Sequence, residues 1–463
     1  MPGRILFVSK YAWPDPVGYN NNVFRQARAL RENHGRDVEL LTWPGQDGWE
    51  GPLPAPAAPK IVSRLEYTFQ GLPYHVVNLN HLYSGQVLNE ARWEEAVGIG
   101  RELLGRIKPD IVHMHHGAGM WWIFEAARRS SIPAVFSAHD WGLGCLRSHL
   151  VKGEGGLCDG TAELDKCARC VWAGRRTAGR LNEMLVSTLF GERLLEATSL
   201  FPFDRSLSER GILRVGLKRR VSLNLERARL ALPALGALIV ANSFGAEFFS
   251  QFGIDRKMVH VIPWYYDPVQ DAGAKCKASG EVTFGYIGRI APDKGLGEVF
   301  QALESGVVSS PVRLVVAGSL DGDFAKELRA RYPGHVGMHT VEWLGWLPHR
   351  DIASFFSRID ATLIPSQCME NLPLTLLESF AHKRPVIAPD IPTLRDYDIE
   401  DRFGRVFEIG SVASLARAID RMRSEPGALT RYGAAMPTVQ SSGDYVRRVD
   451  AIYDAILAPG PAR

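Results

Sequence analysis

Apolar and polar positions along this 463-residue chain alternate between two rhythms. Short apolar runs bounded by Gly, Pro, Asn or Asp read as buried strands, and stretches where apolar residues return every three or four positions read as amphipathic helices. RILFVS at 4–9 is the first strand, WPDPVGYNNN at 13–22 a loop, VFRQARALREN at 23–33 a helix and DVELLTW at 37–43 the next strand. PDIVHMH at 109–115, a helix through WIFEAARRSS at 122–131 and PAVFSAHD at 133–140 continue the series. ALIVANS, a helix through GAEFFSQFG, and VHVIPWYYD at 259–267 close it. Strand and helix in strict alternation predict α/β layers with parallel sheets, whose ligands gather at the loops leaving the strands.

The stretch DPVQDAGAKCKASGE at 267–281 interrupts the rhythm and reads as a linker. After it the alternation restarts with VTFGYIG, LGEVFQALES, VRLVVAGS, FAKELRARY, VEWLGWL, DATLIPS, a Leu-rich helix and RPVIAPD. A chain of this length exceeds one ordinary core, so two α/β domains are expected, at 1–267 and 268–440. The amphipathic helix near YVRRVDAIYDAIL, in 441–463, is expected to pack back on the first domain.

Composition, at 46% hydrophobic and 23% charged, is that of a globular protein, and a formal charge of +3 gives no reason to expect a nucleic-acid partner. MPGRILFVSK runs straight into a strand with no secretory apolar region, which predicts a cytoplasmic start. No apolar run approaches the roughly 20 residues that span a bilayer, so any work at a membrane is expected from its inner surface.

PSQCMENLPLTLLE at 365–378 carries Glu370 before a Leu-rich segment and Glu378 within it. If that segment is helical, the two acids project from one side and suit two contacts along an elongated polar ligand; an acidic first turn with a solvated Glu is the plainer alternative. GRIAPDKGLGEVF puts Arg289 and Lys294 between a strand and a helix, where backbone N–H groups already favour anions. Two solvated loop cations would look the same. The order Lys294 then Gly295 is not that of a P-loop, and GIGRELLG at 98–105 precedes its strand instead of following it.

GRIAPDKG and ENLPLTLLE, with VEWLGWL between them, RPVIAPD after, and KPDIVHMHH and VFSAHDW in the first half, resemble the retaining family-4 glycosyltransferases. The resemblance covers nearly the whole chain and implies the GT-B fold, two Rossmann-like α/β domains facing across a cleft. It implies that Arg289 and Lys294 hold the nucleotide diphosphate, that Glu370 contacts the donor sugar and that Glu378 takes the ribose hydroxyls. Asn371 and Leu372 would offer backbone amides, His139 would face the reacting sugar, and the loop of Gly18 would approach the diphosphate and acceptor. The implied reaction moves a sugar from a nucleotide-sugar donor to a hydroxyl acceptor, in glycan, glycolipid or natural-product synthesis, with two cations in place of a catalytic metal. The chain departs from the family pattern after Gly18, where Tyr19 and three Asn follow, and at Trp264-Tyr265-Tyr266. A sugar phosphorylase or epimerase, or a non-catalytic binding protein with a zinc-stapled insert, would fit the same scaffold.

Four of the six cysteines, Cys145, Cys158, Cys167 and Cys170, fall within 26 residues. A Cys-x-x-Cys pair with two further thiols suits a closed structural zinc site; an iron–sulfur cluster, a redox pair or unbound thiols also fit the spacing. Residues 205–229 are rich in Arg and Lys, either a solvated helix face or a basic surface for anionic lipid or a lipid-diphosphate acceptor.

Overall fold

In a computed structural model the described residues are 3–9, 19–42, 65–69, 72–77, 83–84, 87–88, 92–173 except 116, 118, 119 and 154, then 213–268 and 281–458. Gly18, most of the stretch read as a linker, and residues 205–212 lie outside them. The chain forms two compact units, one of Met1–Ile262 with Val446–Arg463 and one of Pro263–Tyr445.

The first unit is built on β1 (Arg4–Val8), β2 (Asp37–Thr42), β3 (Leu65–Phe69) and β4 (Leu72–Val76), with a short hairpin of β5 (Tyr83–Ser84) and β6 (Val87–Leu88) apart from the main sheet. Then come β7 (Ile111–Met114), β8 (Ala134–Ser137), β9 (Ala237–Val240) and β10 (Val259–Val261), in the order β10-β9-β8-β7-β1-β2-β4-β3. Pairing is parallel except for β3 against β4, and Ile5 lies between Val38 and Ile111. Every residue of β7, β8 and β9 is buried, which is why these strands read as unbroken apolar runs rather than alternating ones.

The helix read as starting at Val23 starts at Tyr19 instead and runs to His34. Asn disfavours a helix interior but is tolerated in a first turn, where the backbone N–H groups have no intrahelical acceptor. Sequence periodicity also passed over the edge hairpin β3–β4 and the helices Leu164–Ala173 and Val412–Ser424.

The last helix, Ser442–Leu457, re-enters the first unit with Val446, Val449 and Tyr453 fully buried. Asp450 accepts from Arg36 Nε at 2.6 Å and pairs with His34 Nδ1 at 2.9 Å, while the Tyr453 hydroxyl meets His113 Nδ1.

The second unit holds β11 (Val282–Ile287), β12 (Val312–Ala317), β13 (His335–Val336), β14 (His339–Gly345), β15 (Ala361–Leu363), β16 (Val386–Pro389) and β17 (Gly404–Phe407), ordered β13-β14-β12-β11-β15-β16-β17. All pairs but β13–β14 are parallel. Strand order reverses between β11 and β15, the kind of switch point at which open α/β sheets place their ligands. Trp264, Tyr265 and Tyr266 are buried within this unit, the first two against Tyr445 and the third against His382, its hydroxyl 3.3 Å from His382 Nε2. Among the described residues no helix is long and apolar enough to cross a membrane.

Candidate functional site

Two loops meet at the switch point of the second sheet. The one leaving β11 passes Arg289, makes a tight turn over Pro292–Lys294 and enters the helix Leu296–Glu304. The one leaving β15 carries Ser366, Cys368, Glu370, Asn371 and Leu372 into the helix Leu374–Ala381. Gly295 makes their approach possible: its φ is +75°, and a Cβ there would stand 1.8 Å from the Pro365 carbonyl oxygen. The Gln367 amide donates to the Asp293 carbonyl at 2.8 Å and stitches the loops together.

Across that junction the Lys294 ammonium donates to Glu370 Oε1, though 76 positions separate them. Ser366 Oγ donates to the same oxygen at 2.9 Å, and the Cys368 thiol lies 3.7 Å from it. Burial by itself would lower the Lys294 pKa, but the carboxylate of Glu370, with that of Asp293, raises it above the ordinary lysine value, so the cation persists at neutral pH. Burial, then the Glu370 charge, pushes the Cys368 thiol up to about 12, which leaves it a neutral donor. Arg289 is exposed and reaches Asp293 at 2.6 Å.

Neither helix starting here is capped by a side chain: Gly295 precedes the first and Pro373 the second. Their leading N–H groups therefore supply partial positive charge beside two cations, an arrangement suited to an anion with several oxygens. Asn371 and Leu372 are buried in the loop, and Glu378 is half-buried one helical turn further on. The structure thus unites Lys294 with Glu370 and sets Arg289 in the same loop as Lys294. Sequence reasoning passed over Ser366 and Cys368, although both stand in the quoted PSQCMEN stretch.

His139 lies in the first unit, just past β8, half-buried, with Nε2 3.2 Å from His115 Nδ1. His113, two residues before His115 on β7, bonds through Nε2 with Ser137 Oγ at 2.9 Å. Burial first, then neighbouring imidazole charge, lowers the pKa of both His113 and His115 well below the ordinary histidine value, so both are neutral at pH 7. The signal for them was the period-two His113-x-His115 of the strand, which puts both rings on one face.

Residues 272–437 match the family described as Glycosyl transferases group 1, and residues 17–206 match the Glycosyl transferase 4-like domain. An exopolysaccharide phosphotransferase of Streptomyces coelicolor is 36% identical over 150 residues, which are 31% of this chain and 15% of that protein. The curated relatives are matched over 15% to 52% of their own length, so the chain spans about half of them or less. Sucrose-phosphate synthase from Thermosynechococcus elongatus superposes with a TM-score of 0.60 at 15% identity, over 98% of this chain and 99% of that one. HepE from Anabaena, solved with UDP and glucose, does so at 0.57 and 14%, over 98% and 100%. At such identity the likeness establishes the fold.

Proposed function

From the premise that this chain belongs to the family-4 glycosyltransferases of the GT-B fold, we propose that it transfers a sugar from a nucleotide-diphosphate donor to a hydroxyl acceptor with retention at the anomeric carbon. One observation carries this: a lysine–glutamate pair and an arginine stand beside two uncapped helix N-termini at a sheet's switch point. The diphosphate would lie on the amides of the helix Leu296–Glu304, with Arg289 and Lys294 against its oxygens. As the glycosidic bond breaks, charge grows on the leaving phosphate, and cations already in place stabilise that state more than the ground state. The reaction then needs no divalent ion. Glu370, turned from Lys294 toward the sugar, would accept from its hydroxyls, with the Asn371 and Leu372 amides beside it and Glu378 on the ribose. His139 would face the sugar, and the Gly18 loop would border the acceptor. Solved with UDP and glucose, HepE supports a nucleotide-sugar donor.

A panel of nucleoside diphosphates and nucleotide sugars, read by thermal shift, tests this. The matching nucleotide at a hundred times its Kd should add about 2.7 kcal/mol of stability. Transfer should survive EDTA, and NMR should find the product anomer that of the donor. A panel with no shift and no product would overturn the assignment, and an inverted anomer would overturn retention.

A further inference from the structure

The four clustered cysteines of the first unit surround one cavity of about 180 Å³. They reach it from three pieces of backbone. Cys145 closes a turn in which its amide donates to the Trp141 carbonyl at 2.7 Å. Burial holds the Cys145 thiol above its ordinary pKa, and backbone groups of Arg147, Leu150 and Ser148 at its sulfur offset only part of that. Cys158 comes from a small hairpin, bridged Val151 to Leu157, in which its amide donates to the Leu150 carbonyl at 2.8 Å. Ser148 and Leu150 hold left-handed φ values of 60° and 47°, a conformation that costs a side-chain-bearing residue energy and bends the loop back on itself. Cys167 and Cys170 lie one turn apart on the helix Leu164–Ala173 and so share a face.

None of the four is in a disulfide. They line the cavity wall without yet converging: among the described residues no three His, Cys, Asp or Glu side chains stand grouped to hold an ion. Arg147, Lys152, Lys166 and Arg169 line the same cavity. Those cations would offset the two net negative charges of a divalent ion held by four thiolates.

From this placement we infer that Cys145, Cys158, Cys167 and Cys170 form a structural site for one zinc ion. Four sulfur ligands favour a tetrahedral, thiophilic metal, and a full set leaves no position for substrate. On binding, four S–H bonds break, four Zn–S bonds form and four protons pass to solvent. The ion would clamp turn, hairpin and helix, and with them the loop that begins at His139. This inference is independent of the transferase assignment.

The test uses the full chain, purified anaerobically without chelators and then dialysed with zinc. Elemental analysis should find about one zinc per chain. A mercurial reagent should release it in step with loss of the four thiols. Cys158→Ser and Cys170→Ser should each weaken retention at least about tenfold, whereas Cys368→Ser should not. Should the variants fail to fold, the mercurial titration of the parent still decides. Less than about a tenth of a zinc per chain, or four thiols reacting as fast as in denatured protein, overturns the inference; so does iron with visible absorbance. A chain that binds nucleotide but no zinc overturns this site alone.

Discussion

Lys294 and Arg289 differ in setting, one half-buried against Glu370 and the other exposed beside Asp293. Both would act on a leaving diphosphate, so Lys294→Ala and Arg289→Ala should each lower kcat by roughly a hundredfold, about 3 kcal/mol, with the fold intact by circular dichroism. Near-normal turnover in both would remove the role. The two acids should separate: Glu370→Gln should cut kcat more than nucleotide affinity, and Glu378→Gln should weaken binding of the nucleoside diphosphate by calorimetry. Equal nucleotide affinity in parent and Glu378→Gln would take the ribose from that residue. His113 and His115 set a pH dependence of stability. Their folded pKa values lie below the unfolded value near 6.5, so below about pH 6.5 the unfolded chain takes up protons that the folded one refuses. Stability should therefore fall with pH, by up to about 1.4 kcal/mol per pH unit for each ring. Denaturant titrations between pH 7.5 and 5 check this, and a flat profile would contradict it.

The elements that carry the site are ordinary, but their junction is not. The N-terminus of the helix Leu296–Glu304 can approach the loop after β15 because Gly295 has no side chain and a left-handed φ. Gly295→Ala should push the loops apart, at a cost on the order of 3 kcal/mol, and lose nucleotide binding with it. Gly297→Ala is the control: its methyl would meet Phe324 at 3.5 Å, an ordinary contact, inside a helix that alanine favours. Thermal unfolding and nucleotide titration of the pair separate backbone geometry from a general effect of added bulk. Equal behaviour of the two variants would refute the junction's role.

Over the whole molecule, the C-terminal helix ties His34 and Arg36 of the first unit to residues more than 400 positions away. Arg36 is buried, and its partners are Asp450 and Asp454. Asp450→Ala leaves Arg36 with Asp454 and takes the partner from His34, which should cost on the order of 2 kcal/mol and lower the first unit's Tm by about 4–8 °C. Differential scanning calorimetry measures it, and an unchanged Tm would show the helix to be held by its apolar face alone. Much of this architecture was legible in the chain. Apolar runs such as VTFGYIG and VRLVVAGS, each followed by a helical period, specify parallel α/β sheets because neighbours in sequence decide whether a segment buries one face, two or a stripe. The strand-to-helix setting of Arg289 and Lys294, and of Glu370 ahead of a helix, was legible for the same reason. What only the tertiary structure decided is which loops become neighbours. Lys294 meets Glu370 because β15 lies beside β11 while β12 lies on the other side, and strand order follows from the packing of the entire sheet rather than from any local window. The contact of Tyr453 with His113, across 340 positions, has the same origin: periodicity can say that a helix has an apolar face, but the surface that covers it is chosen by the fold as a whole.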